Sequence, residues 1–195
     1  MNKERIVLGS GDLFCAEFDP GAEIPEDNLI ETEDNRLGHI KGGASIEYTP
    51  SFYEAKDDMG KVSKLIITEE EALLKSGIIT WNGETLVKLC STAKITNGKN
   101  NRRVVKIGGV GNASSKKWLI RFLHKDNMDG DIRVTVIGTN KAGFTLAFAK
   151  DSETVIDAEF KAQPIDKDGT LIIFEETAPA QGKKTDLNLG ENPKQ

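Results

Sequence analysis

No proline occurs between Pro50 and Pro164. A stretch that long in which every residue keeps its backbone N–H permits an unbroken ladder of sheet hydrogen bonds, because each proline would remove a donor. Pro20, Pro25 and Pro50 lie before this window, and Pro164, Pro179 and Pro193 after it, so the core sheets are expected inside it. Within it the side chains alternate. In Ile156-Asp157-Ala158-Glu159-Phe160-Lys161-Ala162 apolar residues interleave with charge, and in Phe144-Thr145-Leu146-Ala147-Phe148-Ala149 the large residues fall on every second position. Both runs read as half-buried antiparallel strands. Residues 118–124 and 132–136 repeat the pattern on either side of Asn127-Met128-Asp129-Gly130, where Asp-Gly is a strong hairpin signal. Asp168-Gly169 marks another turn ahead of a strand over 170–174, and Ala142-Gly143 is a looser break.

Upstream, residues 44–56 and 62–81 read as two extended arms around Asp57-Asp58-Met59-Gly60, with Tyr48, Phe52 and Tyr53 along them. Arms of that length reach past a compact core, and a projecting hairpin with apolar side chains needs a partner. Helix signals are few. Behind Asn82-Gly83, a plausible N-cap, Leu86, Leu89, Cys90 and Ala93 recur at i, i+3, i+4 and i+7 and share one face. The spacing predicts a helix over 83–92. Residues 68–75, closed by Gly77, contain a capping-box match of Thr68 with Glu71, yet the same residues fit a continuing strand.

At 195 residues the chain is long enough for one good core. A single domain over 1–176 is expected, followed by a flexible tail over 177–195 that has no aromatic residue to bury. The net charge of −5 is mild and its signs are interspersed, which argues against a dedicated duplex-DNA or anionic-membrane surface. Met1 to Ser10 shows no apolar signal-peptide core, and no apolar run approaches the roughly 18 residues that would span a bilayer. A soluble product kept in a cytoplasm is the expectation.

Residues able to do chemistry are scarce. The two cysteines, Cys15 and Cys90, sit apart among apolar neighbours and read as buried reduced thiols. Of the two histidines, His39 stands at a loop-to-strand step and His124 reads as an edge or loop residue; no Gly-x-Ser-x-Gly elbow accompanies them. Metal-ligand spacings are absent, and residues 126–131 read as a solvated turn, lacking the alternating ligands and distal glutamate of a calcium loop. Gly9-Ser10-Gly11 and Gly108-Gly109-Val110-Gly111 lack the lysine ending of a phosphate loop and read as turns or close backbone approaches. The basic run from Lys99 to Lys106, with Arg102 and Arg103, reads as the start of a strand with a solvated face. No catalytic, cofactor or metal site is expected, and the chain is expected not to be an enzyme.

Several segments taken in order carry a family likeness: Gly42-Gly43-Ala44-Ser45-Ile46-Glu47-Tyr48; then Lys75-Ser76-Gly77-Ile78-Ile79-Thr80-Trp81-Asn82-Gly83 with Leu86 and Leu89; then residues 143–148 through 157–162. Over roughly residues 5–176 the chain resembles the major tail (tail tube) protein of long-tailed bacteriophages and prophages of Gram-positive bacteria. The resemblance implies a mainly β fold of two packed antiparallel sheets, sandwich- or barrel-like, with one flanking α-helix at 83–92 and a strand over 68–76. It implies a structural virion protein of the tail, assembled in the host cytoplasm. Self-assembly would give hexameric rings stacked around a tape-measure protein and bounded by tail terminator and tail-tip proteins. The channel so formed passes DNA during ejection, and nothing inserts in a membrane. By position, the hairpin over 49–62 matches the loop that reaches the neighbouring ring, so Phe52, Tyr53, Asp57, Asp58 and Met59 are expected at that contact. Asp157 and Glu159, on the charged face of their strand, are candidates for an acidic lumen that repels phosphates. The other reading carried forward is a carbohydrate- or receptor-binding β-sandwich, for which only Trp81 and Trp118 offer an aromatic platform.

Overall fold

The computed structural model describes residues 6–19 and 21–177. It is mainly β, a sandwich-like arrangement built on one large antiparallel sheet. The strands are β1 (Asp12–Phe18), β2 (Arg36–Gly38), β3 (Ile40–Lys56), β4 (Ser63–Ile78), β5 (Lys94–Asn97), β6 (Arg103–Lys106), β7 (Lys117–His124), β8 (Ile132–Asn140), β9 (Ile156–Gln163) and β10 (Ile173–Glu176). Two helices accompany them, α1 (Asp27–Ile30) and α2 (Gly83–Leu89). The large sheet runs β2-β1-β7-β8-β9-β4-β3, with β10 also on β8, and β5 with β6 forms a separate small sheet. Strand β8 changes partner along its length: residues 132–135 pair with β10 and residues 137–140 with β9.

Alternation sorts the side chains onto two faces. One face carries Leu13, Cys15, Leu37, Leu74, Ile78, Ile120, Val136 and Phe160, and Leu86 and Leu89 of α2 close over it with Val105 of β6. The other carries Phe14, Phe18, Leu119, Leu123 and Ile137, covered by Ile30 of α1 together with Ile24 and Ile165. Arg121 sits on this second face almost wholly buried. Its guanidinium reaches Asp27 of α1, Glu175 of β10 at 3.5 Å and the Thr135 hydroxyl at 2.9 Å, while neighbouring Arg133 donates to Glu31 at 2.6 Å. This cluster pins α1 and β10 to the sheet, since a buried guanidinium is tolerated only where acceptors surround it.

Helix α2 begins where its cap predicts. Asn82 accepts from the backbone N–H groups of Glu84 and Thr85, and the Thr85 hydroxyl accepts in return from the Asn82 N–H. The helix stops at Leu89, shorter than the expected 83–92, because Cys90 is already extended; Ala93 is buried from the following turn. Residues 68–76 belong to β4, so Thr68 caps nothing and its hydroxyl donates to the Ser51 carbonyl.

Three expectations need correction. Residues 144–149 form no strand: β4 runs along one side of β9, and on the other β8 takes residues 160–163 while Asn140 and Lys141 bond the backbone of Glu159. Asn140 turns the chain away by donating to the carbonyls of Leu89 and Gly143, and Phe144 and Leu146 pack on the core from an extended loop. The run at 170–174 is a strand only from Ile173 onward, with Leu171 and Ile172 packed beneath it. The sheet also extends beyond the proline-free window, since β1 lies inside it between β2 and β7, and β3 contains Pro50. That proline is tolerated because β3 is an outer strand with one neighbour, β4. The expected tail over 177–195 lies outside the described residues apart from Thr177.

Candidate assembly surfaces

Strands β3 and β4 pair from Ile40↔Ile78 out to Lys56↔Ser63, yet only the inner part of β4, Leu73 to Ile78, has β9 on its other side. Beyond it the hairpin stands alone. Nine of its large apolar side chains are exposed: Ile46, Tyr48, Phe52, Tyr53, Met59, Val62, Leu65, Ile66 and Ile67. A bulge between Ser51 and Phe52 sets the register of this arm, leaving Phe52 opposite Ile67 and Tyr53 opposite Ile66. Residues directly opposite share a face and successive residues do not. The arm is therefore apolar on both faces, and covering one of them would leave the other wet.

All five residues expected at an inter-ring contact lie on this arm. Phe52 and Tyr53 are about half exposed and Met59 more so, at the tip. Asp57 is engaged locally: its carboxylate accepts from the Val62 N–H at 2.8 Å, and that bond, with further backbone donors, holds its carboxyl below the usual aspartate range. Asp58 is exposed in the turn, without an ion pair among the described residues. Sequence reading passed over Leu65, Ile66 and Ile67. Three consecutive apolar residues in a strand that is not buried on both sides was the available signal.

Asp157 and Glu159 lie elsewhere, beside the inner half of the hairpin, where Glu159 is opposite Lys75 and Asp157 opposite Gly77. Their face is a lattice of both signs. Lys75 contacts Glu47 at 2.8 Å and Glu159 at 3.6 Å, Lys141 contacts Glu159 at 3.3 Å and Glu71 at 3.2 Å, and Lys161 contacts Glu71 at 3.0 Å. Hydrogen bonds from Lys161 and Lys141 hold the Glu71 carboxyl below its ordinary range, and the bond to Glu47 raises the Lys75 ammonium. Glu159 is thus compensated by lysines from two sides. Asp157 is exposed and has no ion-pair partner among the described residues.

Near this lattice, Gly42 and Gly43, both at positive φ, form a bulge in β3 with an open cavity of about 360 Å³ lined by Lys41, Ser45, Ser76 and Asp157 among others. The Ser76 hydroxyl donates to the Gly43 carbonyl at 3.0 Å, and the lysines are engaged by carboxylates.

The scarce reactive groups are dispersed. Cys15 is wholly buried in the core, and burial pushes its thiol up to about 12 against a smaller opposing effect of Lys88. Cys90 is half-buried with its Sγ 3.3 Å from the Thr92 hydroxyl. His124 is buried at the end of β7 and not at a loop or edge, because residues 6–11 fold over it: its Nδ1 meets the Ser10 carbonyl at 2.7 Å. Its Nε2 has no partner among the described residues. His39 is exposed between β2 and β3. In the 126–131 turn the Asp126 carboxylate accepts from the Met128 and Asp129 N–H groups and Asp131 accepts from Asp126, so these carboxylates order the turn. Among the described residues no three His, Cys, Asp or Glu side chains converge to hold a metal, and no helix is long and apolar enough to cross a membrane. Trp81 and Trp118 both pack partly against the core, Trp81 with its ring centroid 6.2 Å from that of Phe148. Both are half-buried. No known family model matches the chain, and no curated protein matches it.

Proposed function

We propose that the chain is a structural virion subunit that assembles into stacked, hexameric rings forming a phage tail tube, the conduit for DNA during infection. The observation that carries this reading is the arm beyond Leu73, whose eight exposed large apolar side chains lie on both faces and at the tip of a two-stranded ribbon. An isolated ribbon of this kind is marginal in water, and exposed apolar surface on this scale marks an interaction site. Because both faces need cover, the arm fits a slot between neighbouring copies better than a single flat partner. Phe52, Tyr53 and Met59 are the anchors of that contact, with Asp58 at its rim.

The lumen assignment follows the same logic. The polar face of β9 and β4 offers Asp157 as net negative charge beside a compensated lysine–glutamate lattice. A surface without free cations lets a polyanion slide without capture. The tape-measure protein inside the tube, and the terminator and tip proteins at its ends, are the remaining partners of this reading.

Negative-stain electron microscopy of the purified protein across a concentration series, with size-exclusion light scattering on the same samples, tests it. Rings or tubes with a central channel are expected above a threshold concentration. Monomers at every concentration, with or without a nucleating tail-tip complex, would overturn it.

A further inference from the structure

The two faces of the large sheet wear covers of opposite sign. Residues 6–35 contain nine acidic side chains and no lysine or arginine, whereas residues 88–117 contain eight lysines and arginines and no acid. The interspersed charge seen in the whole chain therefore hides two single-signed segments. The acidic segment packs through Ile24 and Ile30 onto the face that holds Phe14 and Leu119, and the basic one packs through Leu89 and Val105 onto the face that holds Cys15 and Ile120. The two covering segments are thus opposite in formal charge.

The basic side is only partly satisfied within one copy: Arg103 pairs with Glu84 at 3.1 Å, Lys116 with Glu17 at 2.7 Å, and Lys94 donates to the Asn112 side chain at 3.0 Å. Lys94 and Lys106 are directly opposite each other in the small sheet, an arrangement that is unfavourable when nothing negative lies over it. Thr96 and the exposed Val104 share this outward face, and Lys99 and Arg102 flank its turn. Lys99, Arg102 and Lys106 make no ion pair among the described residues. Across the molecule, Asp19, Glu23 and Glu26 are exposed without ion pairs either, beside the exposed Leu29. Other acids of that segment are held within the chain: Asp12 and Glu33 by Arg36, Asp27 and Glu31 by Arg121 and Arg133, and Glu17 by Lys116 of the basic segment.

We propose that the outward face of β5 and β6 receives the acidic loop and α1 of a second copy, head to tail, with Glu23 and Glu26 of one chain lying over the Lys94–Lys106 pair of the next. The proposal rests on the self-assembly reading above and adds the orientation of a contact. Acid on one face and base on the other make the contact heterologous, so it repeats from copy to copy and closes as a ring or continues as a stack. Complementary rims of this kind set register and encounter rate.

Two reversal variants test it, Glu23→Lys with Glu26→Lys, and Lys99→Glu with Lys106→Glu, followed by their combination in one chain. All four positions are exposed and unpaired, so each variant is expected to keep the wild-type melting curve by circular dichroism. Each reversal alone should raise the concentration needed for assembly, read by sedimentation velocity, by at least about tenfold, and the combination should restore it. Zero-length carbodiimide cross-linking of mixed isotope-labelled and unlabelled wild-type chains at high concentration provides the independent readout. An interchain isopeptide bond joining Glu23 or Glu26 to Lys94, Lys99 or Lys106 is expected. Rings that form equally well in both reversal variants would overturn this contact and leave the tube reading intact; interchain cross-links without rings would do the opposite. Binding of short duplex DNA by the basic face, with no interchain cross-link there, would also overturn the contact.

Discussion

One hairpin, β3 with β4, has two halves that are paired alike and differ in burial. In the inner half, Ala72, Leu74 and Ile78 are buried against β9 and α2. In the outer half, Phe52, Leu65, Ile66 and Ile67 continue the same apolar character into solvent. Backbone pairing is the same in both; what differs is whether a third strand and a second layer are present. The contrast teaches that strand formation and strand burial are separate events, and that a chain can extend a sheet beyond its own core when another molecule supplies the rest.

The largest effects should come from the inner half. Phe160→Ala, at a fully buried position, should cost about 4 kcal/mol of monomer stability in urea denaturation. Leu74→Ala should cost about 3 kcal/mol in the same assay, from the strand that also builds the arm. By contrast, Ile67→Ala with Phe52→Ala should leave the urea midpoint within about 0.5 kcal/mol of wild type, since both side chains are solvated in the monomer. The same pair should abolish ring formation in the electron microscope. If the arm variants destabilised the monomer as much as Leu74→Ala does, the distinction between the halves would collapse.

Two smaller tests sharpen it. With a thiol reagent at pH 8 in native buffer, Cys90 should react and Cys15 should not. Cys15 has a raised folded value, so its contribution is complete below the unfolded thiol range and is lost as pH climbs from there toward about 12. The smallest effect concerns the lysine–glutamate lattice at the base of the arm. Because Lys161 and Lys141 depress the Glu71 carboxyl, its contribution is present above the unfolded carboxyl range and fades as pH falls through the folded value. The stability gap between wild type and Glu71→Gln should therefore shrink between pH 6 and pH 3, and do so less at high salt.

Much of the fold was legible because it rests on local rules. The period-two run of β9, the Asp129-Gly130 turn between β7 and β8, the long hairpin and the Asn82 cap are each written in a few neighbouring residues. Where pairing depends on distant partners, legibility fails. Residues 144–149 alternate like β9 and form no strand, because Asn140 and Lys141 close the nearby edge of β9 at Glu159 and the chain turns away, whereas β1 lies inside the sheet although Asp12–Phe18 shows only a short apolar run. The arm as a candidate surface was visible in Phe52, Tyr53 and Met59. Its two-faced character was not, because it depends on the bulge that sets Phe52 against Ile67 and Tyr53 against Ile66. Nor was the charge polarity, since which face of the sheet each segment covers is settled only in three dimensions.

Pro50 sits midway along the outermost strand, with the far edge of β3 open on the described residues. An open edge of 17 residues is the template on which identical chains zip together indefinitely as fibres. One missing N–H halfway along interrupts the row of donors that such zipping needs. In the assembly proposed above, copies would then be steered away from edge-to-edge growth and toward contacts made by side chains, which have a fixed geometry and can close on themselves. If the chain assembles as proposed, that single imino acid biases it toward a closed particle and away from a precipitate.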